Sequence, residues 1–166
     1  MRIVDPLLME LDREAATTGK LLAAVPEDKL DWRPHAKSRS IGELAMHIAT
    51  VPGFFGANIH SDGLDAGGRT PPEAPKTNAE LLEAFRKNTD IAKQALATMD
   101  DEKVMGMWAF SYKGKPVFAM PRVAVIRTLL LSHCIHHRGQ LSVYLRLLDV
   151  SLPSIYGPTA DENPFA

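Results

Sequence analysis

Only one of the 166 residues is a cysteine, Cys134. An intramolecular disulfide is therefore excluded, and the chain reads as a protein of the reducing cytoplasm. Charge of one sign is lacking too: 19 basic against 20 acidic residues leave a net charge of -1. Such a balance projects no long-range field toward nucleic acid or an anionic bilayer, and no basic stripe interleaved with aromatics occurs. Long hydrophobic runs are missing as well. The longest, around Leu129 to Leu131, is cut by His133, far short of the roughly 20 apolar residues a membrane-spanning helix requires. The opening MRIVDPLLMELDRE has no apolar core of a secretory signal. Internal repeats and low-complexity tracts are also absent, so residues 1–166 read as a single domain without nucleic-acid or membrane partners.

What is present is apolar periodicity. Hydrophobic residues make up 45% of the chain, enough for a domain of this size to bury roughly 70% of the surface of its unfolded form. From about Asp5 to Val25, Leu7, Leu8, Leu11, Ala15, Thr18, Leu21 and Leu22 recur at steps of three and four. That spacing draws one stripe on a helix, with Pro6 in its first turn and Pro26 as its stop. Ser40 and Glu43 form a capping-box pattern at the start of a second helix, Ile41 to about His60. Pro52 removes the amide that would bond to Ile48, which predicts a kink or local break there. The stretch SDGLDAGGRTPPEAPKT reads as a loop. A third helix, capped by Thr77 or Asn78, follows over about Ala79 to Met99. Lys103 to Met120 lacks helical period and reads as a loop or small hairpin around Lys113-Gly114-Lys115. A fourth helix runs from about Pro121 to Asp149, and the tail is rich in turns. The expected fold class is all-α: an antiparallel four-helix bundle with one long crossover and a small irregular or hairpin segment before helix 4.

The fourth helix carries the chemistry. His133 and His137 stand at i and i+4, about 40° apart around a helix and about 6 Å apart along it, so both rings point to one side. Helical spacing groups them with Ile126, Leu130, Tyr144 and Leu148, an apolar stripe that turns the rings toward the bundle interior. An unpaired polar group buried there costs roughly 1–3 kcal/mol, a cost that a shared metal ion removes. On the second helix, His47 shares a face with Leu44, Val51, Phe54 and Phe55 and supplies a third imidazole from a separate element. Three histidines leave at least one coordination position open, the pattern of catalytic rather than structural metal sites. An all-nitrogen set suits Zn, Ni, Cu or Fe without choosing among them. Gln140 lies near the same face and can bond a ligand ring or a bound water. His136 is turned about 60° from His133 and reads as a polar packing residue or a neighbour that orients a ligand. No Asp or Glu on the stripe can be assigned as general base; Glu43 reads as a cap. Cys134 reads as a packing residue, and Arg138 as pointing to another helix or the surface.

The run HCIHHRGQLSVYLRLLDVSLPSIYGP resembles the DinB/YfiT-like superfamily. The resemblance rests on an H-x-x-x-H-R-G-Q signature at His133, His137, Arg138, Gly139 and Gln140, followed by Tyr144, Leu145, Arg146, Pro153, Tyr156 and Gly157. Upstream, Trp32-Arg33-Pro34, Ser40 to Leu44 and His47 are similar to that family's N-terminal pattern. The resemblance implies a four-helix bundle, commonly a homodimer, with a three-histidine site at His47, His133 and His137. The implied cofactor is a divalent transition metal, Zn or Ni first, with Fe, Cu or Mn as the remaining candidates. The implied activity is that of a metal-dependent hydrolase or of a thiol S-transferase using a low-molecular-weight thiol and a small-molecule substrate. The other reading is a non-catalytic bundle that holds a metal or small ligand for sensing or storage.

Overall fold

The computed structural model describes residues 1–165. Its first helix, α1 (Val4–Ala23), buries Leu7, Leu11, Thr18, Leu21 and Leu22 along the expected stripe, and Glu14 with them. α2 (Ile41–Asn58) starts at the capping box: Ser40 Oγ accepts from the Glu43 amide and Glu43 Oε2 accepts from the Ser40 amide. This helix runs on through Pro52 without the break that the missing amide predicts. Packing against α3 (Asn78–Ala97) holds it together across the gap. Gly56 lets the two backbones approach so closely that a Cβ there would lie 2.7 Å from Ala92 Cα. α3 itself begins where the Thr77 hydroxyl accepts from the Glu80 amide.

The expectation of an all-α four-helix bundle is corrected by a mixed three-stranded sheet between the helices. β1 (Gly63–Asp65) lies within the segment read as a loop and pairs in parallel with β2 (Met107–Tyr112). β2 pairs antiparallel with β3 (Lys115–Pro121). The turn between them places Lys113 and Gly114 at φ of 52° and 74°, the left-handed pair that suits a two-residue hairpin loop. Asp65 anchors it, its carboxylate accepting from the amides of Gly67, Lys113 and Gly114. The sheet is held to the helices by apolar burial: Trp108 is fully buried, flanked by Phe55, Phe110 and Phe118. Below it, buried Arg122 donates to the carbonyls of Ile59, Ser61 and Met107, which ties the crossover to the hairpin. A one-turn helix, α4 (Asp101–Met105), precedes the hairpin and is capped by Asp100.

The last helical rod is not uniform. It comprises α5 (Arg122–Val125), a π-helical segment (Ile126–Ser132) and α6 (His133–Leu147). A π segment bonds i to i+5 and adds a residue to the turn, so residues beyond it are rotated by about one position relative to an α-helical wheel. The buried stripe accordingly passes from Ile126 and Leu130 to Arg138, Leu141 and Leu145, with partly buried Cys134 between them. His133 and His137 lie beside this stripe, half-buried, rather than on it. No helix is long and apolar enough to cross a membrane among the described residues.

Candidate functional site

The rotation after the π segment brings His133 and His137 to the edge of the bundle, where α6 faces α2. His47, one turn beyond the capping box, points at them. His47 Nε2 and His133 Nε2 are 3.0 Å apart. The ring centroids lie 5.2 Å (His47–His133), 4.6 Å (His47–His137) and 4.5 Å (His133–His137) apart, all edge to face. One nitrogen from each ring falls within 4.8 Å of the others. Tetrahedral ligands at the usual metal–nitrogen distance stand about 3.3 Å from one another, so the cluster has the spacing of a ligand set.

The donor chemistry fits a cation as well. A single proton can join His47 to His133, but the inward nitrogen of His137 has no hydrogen-bond partner among the described residues. Its outward nitrogen does: Nδ1 lies 2.7 Å from Gln140 Oε1, which accepts its proton. That bond fixes the tautomer and leaves Nε2 unprotonated toward the cluster, as the outer partners of metal-bound histidines do. Burial presses the rings toward neutrality. It lowers the His47 pKa from an ordinary 6.5 to about 3 and that of His133 to about 4. It also lowers that of His137. The positive charge of Arg39 acts in the same direction on all three.

These shifts predict an acid-sensitive fold in metal-free protein. A ring whose pKa is depressed in the fold stays neutral there while the unfolded chain takes up the proton. Stability is therefore complete above pH 6.5 and lost as pH falls from 6.5 toward 3. The urea midpoint of metal-depleted protein is expected to fall between pH 7 and pH 5, and His47→Phe to flatten that slope. An equal slope in the variant overturns the assignment.

The cluster opens on a cleft of about 400 Å³. Leu44 and Tyr144 give it apolar wall, Tyr144 standing edge-on to Trp32 at 5.9 Å, and Ser38, Arg39 and Gln140 give it polar wall. No aspartate or glutamate lines it among the described residues. Glu43 borders an adjoining hollow with Arg39, His47, Pro71 and Pro72, but its carboxylate is committed to the Ser40 cap and lies 3.8 Å from Arg33. His136 is exposed and outside the cleft lining, its ring 5.0 Å from that of His137. Cys134 faces the interior, where burial pushes its thiol up to about 12, so no thiolate is available there. His35 and His60 are exposed; the latter bonds Ala95 O.

Two features went unread in the sequence, and a third was given its direction, toward another helix, without its partner. Arg39 lies in a charged, proline-containing connection where no periodicity marks a direction. Arg69 arrives from the crossover and sits 3.5 Å over the Phe54 ring. Arg138, read as directed to another helix or the surface, is 2% exposed and paired with buried Glu14 at 2.7 Å. A glutamate between Leu11 and Thr18, in register with the largely apolar stripe on α1, was the available signal.

The sequence model of the DinB superfamily matches residues 10–141. Two curated relatives come from Bacillus subtilis strain 168. The uncharacterized protein YrdA is 25% identical over 162 residues, spanning 96% of this chain and 91% of that protein. The uncharacterized protein YjoA is 28% identical over 131 residues, spanning 78% and 80%. Among solved structures, a DinB-like protein from Bacillus cereus ATCC 10987 superposes with a TM-score of 0.71 at 23% identity, covering 90% of this chain and 95% of its own. The DinB-like YjoA structure from B. subtilis gives 0.71 at 20% identity, covering 91% and 98%. At these identities the two structures speak to the fold alone.

Proposed function

Because this chain belongs to the DinB superfamily, we propose that it is a metal-dependent enzyme acting on a small molecule. His47, His133 and His137 hold one divalent transition metal, Zn or Ni, and the reaction is hydrolysis or transfer of a low-molecular-weight thiol. The observation that carries this reading is the placement of three convergent imidazoles on the wall of an open cleft large enough for an organic substrate. A closed structural site would be sealed by a fourth protein ligand. When bound, the metal would supply Lewis acidity, which lowers the pKa of a water or thiol beside it.

The chain's own residues do the rest. Gln140 holds the His137 ring by its Nδ1 proton and so aims Nε2. Leu44 and Tyr144 exclude water from one side of the cleft. With no carboxylate in the lining among the described residues, the proton taken from a water or thiol nucleophile leaves to solvent through the open mouth. A thiol, acidic enough to ionise near neutrality beside a cation, needs no protein base at all. Thiol transfer is favoured over hydrolysis because a free thiol already ionises within about two units of neutrality, whereas the ionisation of water would depend wholly on the metal.

Metal-loaded protein is expected to couple low-molecular-weight thiols to an electrophilic aromatic halide faster than metal-depleted protein does. The same preparation is expected to leave ester and amide substrates unhydrolysed. Equal rates with and without metal, at full metal occupancy of the loaded sample, count against an enzyme.

A further inference from the structure

The cleft beside the histidines is electrostatically one-sided. Arg39 contributes to its wall and to the wall of the adjoining hollow. Its guanidinium makes no ion pair or hydrogen bond among the described residues, whereas Arg2, Arg86, Arg122, Arg127, Arg138 and Arg146 all do. The one carboxylate that shares a lining with it among the described residues, Glu43, is occupied by its cap and by Arg33. Arg69, from the crossover, lies outside both linings, stacked on Phe54 and without a carboxylate partner among the described residues. A fork of donors free of an internal acid, beside a cleft that no acid lines among the described residues, is arranged for a ligand anion.

We propose that Arg39 sets the specificity of this cleft for a substrate or cosubstrate that bears a negative charge, of which a carboxylate is the simplest. The proposal rests on the metal-site reading above, because the histidines fix one end of the ligand and Arg39 reads the other. Arg39 is a specificity residue here. It neither holds the metal nor moves a proton.

Three two-carbon thiols that differ in charge test this: mercaptoacetate, mercaptoethanol and mercaptoethylamine. Each binds a metal through sulfur, and any chelation by its second group is common to wild type and Arg39→Gln, so the difference between the two proteins reports the wall of the cleft. Titrations into cobalt-loaded protein, followed by the cobalt–thiolate absorbance, give three dissociation constants. Comparing each thiol between wild type and Arg39→Gln cancels the thiols' own differences in acidity. Mercaptoacetate is expected to bind the variant about tenfold more weakly, the scale of one charge-assisted contact in a solvent-open cleft. Mercaptoethanol is expected to change by less than about twofold, and mercaptoethylamine to gain affinity. Arg39→Lys, which keeps the charge without the fork, is expected to recover part of the loss, and added salt to erode it. Equal loss for all three thiols, or none for mercaptoacetate, overturns the proposal. Elemental analysis of the same samples separates the two layers. A wild type that takes up no metal brings down the metal-site reading and this inference with it. A fully loaded protein blind to charge brings down only the inference.

Discussion

Purified His137→Ala protein is expected to lose stoichiometric metal while keeping its fold. His137 supplies one of three nitrogens in the cluster, and no other histidine, cysteine, aspartate or glutamate joins that group among the described residues. Removing a residue that merely orients a ligand costs 10–100-fold in metal affinity, and removing a ligand costs more. The fold rests elsewhere. Two apolar clusters, one around Trp108, Leu96 and Ile126 and one around Leu21, Ile48 and Leu141, hold the helices together. The thermal midpoint of the metal-free variant should stay within about 2–4 °C of the metal-free wild type, as for a change near 1 kcal/mol. Gln140→Leu should fall between the two, with metal affinity lowered about 10–100-fold. Full metal occupancy in His137→Ala, at unchanged affinity, contradicts the site.

Arg138→Ala is expected to have the largest effect on stability. The guanidinium is 2% exposed and lies 2.7 Å from Glu14 Oε2, itself 9% exposed. It also donates to Thr18 Oγ1 and the Glu14 carbonyl. The Tyr156 hydroxyl closes the network, donating to Glu14 Oε2 at 2.6 Å and accepting from Arg138 at 2.5 Å. One residue next to a candidate ligand thereby joins α1, α6 and the C-terminal tail. Truncating it leaves a buried carboxylate without its counter-charge, which costs about 3–5 kcal/mol. At about 2–4 °C per kcal/mol for a protein of this size, the midpoint drops by roughly 6–20 °C. The double variant Arg138→Met, Glu14→Leu should recover most of that loss, since an apolar pair leaves no stranded charge. A single variant that unfolds within about 1 kcal/mol of wild type shows that the carboxylate finds water and that the pair does not hold the tail.

Much of this was legible in the sequence, for identifiable physical reasons. The capping box at Ser40 and Glu43 is a local signal and it forms as spaced. The i, i+4 pair at His133 and His137 survives because both residues lie beyond the π segment, within regular α6. What failed was reading across that segment. An α-helical wheel groups the histidines with Ile126 and Leu130, but the wider turns at Ile126–Ser132 place Arg138 on the buried stripe and leave the histidines at a cleft edge. Nothing in the run IRTLLLS announces i to i+5 bonding. β1 was unreadable for another reason. Three residues carry no alternation, and the strand exists only because β2 offers it an edge. Pro52 shows tertiary packing overriding a local rule, since contact with α3 keeps α2 helical through it. Arg39 carries no periodic signature, and only the folded cleft shows that its charge has no partner among the described residues.

The most direct test is X-ray absorption at the metal edge on protein purified without an affinity tag or added metal, with elemental analysis of the same sample. One metal per chain, with three imidazole nitrogens at about 2.0–2.1 Å and a lighter exchangeable ligand beside them, is the predicted result. Protein free of metal, or a metal whose shell is unchanged by His47→Phe, contradicts a centre built from both helices.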